Sequence, residues 1–385
     1  MPTTCRAAAS VLPLLVLGLA LAGCSEQPSD GPGQPQAGQP SSSGSSAAGT
    51  STAPESPDAA PRPRVAGDVA TGLSVPWGLA FLPDGTALVS ERDTELVKAV
   101  SPSGDVRRVG RVSGVDGSGE GGLLGLAVSP DYASDSTVFA YFTRGSENVV
   151  ARMTYDGEGL SGQRTVLDGI PAGPIHNGGR IAFGPDGFLY VGTGESGQTD
   201  LSQDRDSLGG KILRVTPEGD PAPGNPFAGS PVWSLGHRNV QGLAWDSRGR
   251  LWAAEFGQST WDELNRIEPG ENYGWPVVEG RADDDRYVDP VRQWRTSEAS
   301  PSGIAVAEDS VFMAALGGTR LWQVPIIDGA DGRAGRPVAL MRQRYGRLRT
   351  VVAAPDGSLW VTTSNRDGRG AARDGDDRIV RLTFG

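Results

Sequence analysis

One pattern of apolar and polar positions recurs six times along the chain. A glycine or another residue opens a stretch of alternating apolar positions. A Pro-Asp-Gly-like turn interrupts it, and a second apolar run with an aromatic follows. Gly78-Leu79-Ala80-Phe81 leads through Pro83-Asp84-Gly85 to Leu88-Val89, and Gly125-Leu126-Ala127-Val128 leads through Pro130-Asp131 to Val138-Phe139. Arg180-Ile181-Ala182-Phe183 leads to Leu189-Tyr190-Val191, and Gly242-Leu243-Ala244-Trp245 to Leu251-Trp252. Gly303-Ile304-Ala305-Val306 and Thr350-Val351-Val352-Ala353 open the last two copies. Alternation at period two marks a half-buried strand, and Asp-Gly supplies the positive φ of a tight turn. Each copy therefore predicts a hairpin. Six copies at the spacing of four-stranded blades predict an all-β fold, a six-bladed β-propeller of four-stranded antiparallel blades over residues 65–385. A β-sandwich would require six in-order copies to be alike by accident, and no long 3.6-residue period competes.

The first 64 residues lack this pattern. Arg6 precedes an apolar run from Ala7 to Ala22, too short and too interrupted by Pro13 to read as a membrane span. A basic start, an apolar middle and small residues at the end describe a secretory signal over residues 1–23. Cys24 directly after Leu21-Ala22-Gly23 resembles the bacterial lipobox, which makes Cys24 the expected lipidated first residue of the mature chain. An ordinary signal cut nearby is the alternative. Residues 24–64 are rich in Ser, Gly, Pro, Ala and Gln, carry little apolar bulk, and are expected to form a disordered tether. Together these features predict export and anchoring to the outer face of the bacterial cytoplasmic membrane, through lipid on Cys24 only.

The formal net charge of −11 and the pI near 4.8, with no basic cluster, argue against nucleic-acid binding. The two cysteines, Cys5 and Cys24, both precede the repeats, so the propeller is expected to hold without disulfides.

Candidate chemistry concentrates between Ser234 and Pro276, with further pieces on either side. The two histidines sit before the third and fourth hairpins, in PIHNGGR (Pro174 to Arg180) and GHRN (Gly236 to Asn239). Equivalent offsets put both near one end of a propeller. His176 is the candidate base, because histidine is the usual one near neutral pH and its two following glycines would let backbone approach a ligand. His237 reads as structural or as a supporting partner. Arg238 and Asn239 suit an anionic or carbonyl-rich ligand, since guanidinium grips planar oxygens through a fork of donors. Gly257, Gln258, Asp262 and Glu263 offer the oxygen donors that calcium prefers, and Tyr273 with Asp283 would complete a second calcium site. Arg347 and Arg349, two apart on one face of an extended strand, would suit a multi-carboxylate ligand if aimed at the channel. A solvated basic edge is the other reading. No zinc-type cluster, strand-to-helix nucleotide fingerprint or G-x-S-x-G elbow occurs in the sequence.

GEGGLLGLA (Gly119 to Ala127), HNGGRIAFGPDGFLYVGTGE (His176 to Glu195), LGGKILRV (Leu208 to Val215), GHRNVQGLAWD (Gly236 to Asp246), DELN, NYGWP and RLRTVVAAPDG (Arg347 to Gly357) stand in an order that resembles the soluble PQQ-dependent glucose/sorbosone (aldose sugar) dehydrogenase family. The resemblance covers nearly the whole repeat region and implies a six-bladed propeller, reached independently above. It implies the cofactors PQQ and Ca2+, an aldose substrate oxidised at C1 to the lactone, and an external electron acceptor. By resemblance, His176 takes the proton of the anomeric hydroxyl while hydride passes from that carbon to the C5 carbonyl carbon of the quinone. Arg238 and Asn239 contact the quinone oxygens, and Arg347 and Arg349 hold PQQ carboxylates. Gly257 and Gln258 offer backbone oxygens to the catalytic calcium. Glu263, Tyr273 and Asp283 fall where a structural calcium binds.

The chain departs from the family pattern in places. Glu120 stands beside the substrate pocket where glutamine is frequent, Ile175 precedes the histidine, and Gln258 replaces a usual proline. A cofactor-holding lysine is missing near Gly317, and Trp294 is the candidate for the aromatic that covers PQQ. These departures keep a non-catalytic propeller binding module in view. A metal-dependent lactonase-type hydrolase is a further alternative, which would need several carboxylates converging on the channel.

Overall fold

The computed structural model describes residues 60–327 and 332–385. The signal segment, Cys24 and the tether as far as residue 59 lie outside the described residues. Six antiparallel sheets follow one another around a ring. The first blade is built from Pro76–Phe81, Ala87–Glu91, Leu96–Val100 and Val106–Arg111, and the second from Leu123–Val128, Thr137–Arg144, Glu147–Tyr155 and Leu160–Pro171. Arg180–Phe183, Leu189–Gly192, Lys211–Val215 and Val232–Leu235 form the third, and Val240–Trp245, Leu251–Glu255, Trp261–Ile267 and Arg292–Arg295 the fourth. Every predicted hairpin is the innermost pair of its blade.

Two features go beyond the repeat. In the fifth blade, Pro301–Ala307, Ser310–Ala315 and Arg320–Ile327 are followed by two short pieces, Arg333–Ala334 and Val338–Leu340, both paired with Arg320–Ile327. Gly335, Arg336 and Pro337 separate them, and proline cannot donate to a ladder. The sixth blade takes Leu348–Ala353, Leu359–Thr363 and Ile379–Thr383 from the end of the chain, and its outer strand, Arg64–Ala70, from the start of the described region. Closing the ring this way protects sheet edges that would otherwise stay exposed.

The repeated glycine marks where neighbouring blades come closest. A Cβ at Gly78 would lie 2.6 Å from the Leu124 carbonyl, one at Gly125 2.2 Å from Gly179, and one at Gly242 2.5 Å from Ser302. Inner strands cannot converge on the channel with side chains at these points. The third blade has Arg180 there instead, and its side chain crosses the channel. Arg180 Nε donates to the Gln241 carbonyl at 2.8 Å, Nη2 donates to Thr350 Oγ1 at 2.9 Å, and the guanidinium lies 4.4 Å from the Trp77 ring centroid. It thus joins blades three, four, six and one. Burial pulls its pKa down to about 9. Apolar clusters fill the spaces between blades, such as Trp252, Leu264, Trp294 and Trp322 between the fourth and fifth.

Candidate active site

At one end of the ring the connecting loops enclose a cavity of about 350 Å³. His176, Arg238, Asn239, Arg347, Arg349, Glu120, Gly257 and Gln258 all line it. Their positions span more than two hundred residues of chain and are gathered only by ring closure.

His176 sits at φ 56°, a left-handed conformation uncommon for histidine. Its loop is held on several sides. The His176 backbone N–H donates to Glu120 Oε2 at 3.0 Å, its carbonyl accepts from Ser196 N at 3.1 Å, and Glu120 N donates to the Pro174 carbonyl at 2.9 Å. Gly178 and Gly194 allow this packing, because a Cβ on either would strike backbone of the adjoining segment. The glycines after His176 were expected to admit a ligand to the backbone; instead they admit neighbouring protein.

The imidazole bridges two groups. Nδ1 meets Glu195 Oε1, and Nε2 lies 2.8 Å from Arg238 Nη2. Guanidinium can only donate, so Nε2 accepts and the proton resides on Nδ1, shared with Glu195. Glu195 is 1% exposed in its side chain against 12% for His176. This tautomer presents a basic nitrogen to the cavity with a carboxylate behind it.

Arg238 is held in place by its own contacts. Nε and Nη2 donate to Gln258 Oε1 at 3.1 and 2.8 Å, and Nη1 donates to the Phe256 carbonyl at 3.2 Å. Burial lowers its pKa against the opposing pull of Glu195, Glu279 and other acids. Asn239 Oδ1 accepts from Gly178 N at 3.0 Å, tying GHRN to the His176 loop.

Across the cavity, Arg347 Nη2 and Arg349 Nη2 share Asp367 Oδ2 at 2.9 and 3.7 Å, and Arg349 Nη1 donates to Gln241 Oε1 at 2.9 Å. Arg349 Nε is buried with no hydrogen-bond partner. Burial brings the Arg349 pKa down to about 9 even with Asp367 opposing. Arg92 and Arg369 also face the cavity, and Arg369 Nη1 closes on Glu120 Oε1 at 2.8 Å. Five arginines thus meet three carboxylates (Glu120, Asp262 and Asp367) in a chain whose overall charge is −11. That excess suits a polyanionic planar ligand, and the unpartnered Arg349 nitrogen supplies a waiting donor.

The turn that carries Gly257 and Gln258 is braced by a buried carboxylate. Asp262, 1% exposed, accepts from Gly257 N at 3.0 Å and from Ser300 N at 2.6 Å. Burial pushes its pKa up to about 6, so a cation nearby would favour its charged form. Glu263, Tyr273 and Asp283 lie away from the cavity. Glu263 is buried, accepts from Gly280 N and Asn265 Nδ2, and is pushed to about 8 by burial and by Glu255. The Tyr273 ring stacks on His237 and its hydroxyl donates to the Arg266 carbonyl, while Asp283 is exposed. Among the described residues no group of three or more His, Cys, Asp or Glu is placed to hold a metal ion.

Trp294, the candidate cofactor cover, packs instead against Trp322 in the core, with ring centroids 5.7 Å apart. Trp77 and Phe256 are the aromatics on the cavity wall. Among the described residues no cation near Gly317 lines the cavity. Arg92 and Arg369 bring positive charge from other loops, and neither was singled out from the sequence. Glu195 was also missed, although one signal was available. It follows His176 by 19 residues, much as Glu255 follows its partner His237 by 18.

A channelled six-bladed propeller with a histidine–glutamate pair facing an arginine-rich cavity defines the class. The glucose/sorbosone dehydrogenase family profile matches residues 73–374, and the chain belongs to that family. It is 59% identical to the PQQ-bound aldose sugar dehydrogenase of Streptomyces coelicolor, covering 85% of this chain and all of that one with a TM-score of 0.82. It is 30% identical over 332 residues to the aldose sugar dehydrogenase YliI of Escherichia coli, covering 77% of this chain and 89% of that protein. The quinoprotein glucose dehydrogenase B of Acinetobacter calcoaceticus is 32% identical over 257 residues, which span 57% of this chain and 54% of that protein.

Proposed function

We propose that this protein is a PQQ- and calcium-dependent aldose sugar dehydrogenase that oxidises its substrate at C1 to the lactone. The observation that carries the reading is the His176 imidazole, with Nδ1 on buried Glu195 and Nε2 turned to the arginine-rich cavity. When bound, PQQ supplies a two-electron acceptor, and calcium supplies Lewis-acid polarisation beside it.

The chain does the rest. Arg347 and Arg349 are placed to grip carboxylates, and Asp367 keeps both guanidinium groups turned to the cavity. Arg238 and Asn239 would contact the quinone oxygens, and the Gly257 and Gln258 carbonyls would hold the ion. A sugar hydroxyl displaces the Arg238 N–H from His176 Nε2. The hydroxyl proton then moves to Nε2 as the C1 hydrogen departs with its electron pair, and Glu195 stabilises the resulting imidazolium. Freed from Nε2, Arg238 keeps its bonds to Gln258 and Phe256.

Arg180 favours oxidation over the lactonase-type alternative, because it fills the channel where that reading needs converging carboxylates. The test is a titration of the purified protein with PQQ in calcium, followed by an aldose panel. Saturable binding and sugar-driven bleaching of the cofactor are expected. Folded protein that binds no PQQ would move the reading to a binding propeller. Export, lipidation of Cys24 and an external electron acceptor belong to the same proposal. The Cys24→Ala variant is expected to leave the membrane fraction for the medium.

A further inference from the structure

Five consecutive backbone N–H groups in the cavity turn are satisfied by two carboxylates. Gly257 N donates to Asp262 Oδ1 at 3.0 Å. The next four, from Gln258, Ser259, Thr260 and Trp261, all donate to a single oxygen, Glu279 Oε1, at 2.7, 2.9, 2.9 and 3.1 Å. The turn is closed so tightly that a Cβ on Gly257 would lie 1.8 Å from the Trp261 carbonyl and 2.7 Å from that same Glu279 oxygen. A run of N–H groups converging on one point is an anion nest. Glu279 fills it from the protein itself, on the segment that follows NYGWP.

The nest has a consequence for the cavity. With these N–H groups drawn to Glu279, the peptide planes of the turn are fixed, including those whose carbonyls belong to Gly257 and Gln258. The Gln258 side chain, carried by the same turn, is the double acceptor that braces Arg238. We propose that Glu279 is the positioning residue of this turn, holding the Gly257 and Gln258 carbonyls at the calcium site and Gln258 against Arg238. The inference rests on the calcium reading given under the proposed function. It explains how a glutamine, free at φ and carrying an N–H, holds a position where the family pattern leads one to expect a rigid proline: here the N–H itself is the anchor.

The experiment measures PQQ binding by the full-length protein from cofactor absorbance at graded calcium concentrations. In Glu279→Gln the calcium needed for half-maximal PQQ binding is expected to rise about tenfold or more, as loss of outer-shell partners does at metal sites. Saturating calcium should restore binding, and Glu279→Asp, which keeps the charge at shorter reach, should fall between. A calcium requirement within twofold of wild type in a Glu279→Gln protein with native circular dichroism overturns the inference. If that variant does not fold, an unchanged requirement in Glu279→Asp overturns it equally. PQQ binding by the wild-type protein that is indifferent to calcium would instead overturn the calcium reading, and the inference with it.

Discussion

Two histidine–glutamate pairs occupy similar places in adjacent blades. His176 and His237 each precede an inner strand, Glu255 ends the next strand and Glu195 lies just past it, so that Nδ1 meets a carboxylate in both. The difference lies at Nε2. In the third blade it faces the cavity and a charged donor, Arg238. In the fourth it meets Ser234 Oγ at 2.8 Å, with Tyr273 stacked on the ring and no exposure at all. The second arrangement has the order of a serine hydrolase triad and none of its access. Burial, with Lys211 adding to it, drives the His237 pKa down to about 3, and burial lifts Glu255 to about 8, so near neutral pH this pair carries no charge. The same residues serve chemistry or packing according to what lies beyond one nitrogen.

The comparison can be broken most sharply at His176. His176→Ala is expected to lower kcat about a hundredfold or more with an unchanged fold, read by steady-state dye reduction and circular dichroism. Near-normal turnover would remove His176 from the chemistry. Glu195→Gln should cost about tenfold or more in kcat with little change in PQQ binding, since the tautomer and the imidazolium lose their support. His237→Ala should invert the pattern. It leaves the buried Ser234 hydroxyl without its partner and strips one from buried Glu255, and a stability loss of about 2 to 4 kcal/mol in chemical denaturation is expected, with a smaller effect on kcat.

The pH dependence sharpens the same contrast. The folded chain refuses a proton on His237 until about pH 3, whereas the unfolded chain takes one near pH 6.5. Stability from this group is therefore full above about pH 6.5 and is lost as pH falls. Between pH 7 and 5 His237 works against the fold while its partner Glu255, raised by burial, works for it, so a His237→Gln variant should show a stability profile tilted upward toward acid pH relative to wild type. The smallest effect is expected at the rim. Glu120→Gln frees Arg369 and should change the sugar KM by a few fold, with a weaker salt dependence than wild type, because the pair it breaks is partly exposed.

Much of this was legible beforehand because it is local. Hairpins are written in alternation and turn chemistry, and six of them in order define the blades. The candidates His176, Arg238, Asn239, Arg347 and Arg349 stood in loops at hairpin starts, where propellers collect function, and the cavity brings all five together. Trp294 was misassigned because an aromatic on an outer strand reads the same whether it faces a ligand or the next blade. Arg369 escaped notice because it acts on Glu120, far away in sequence, and Asp367 and Arg92 because no local motif marks either.

The sequence by itself determined the blade count, the inner strands and the residue types available for proton transfer and anion binding, since these depend on periodicity and side-chain chemistry. The tertiary structure alone decided that Glu195 backs His176, that Arg180 rather than a carboxylate cluster crosses the channel, and that Glu279 gathers the turn at Gly257. Burial, tautomer and charge balance are set by neighbours that only ring closure brings within hydrogen-bonding distance.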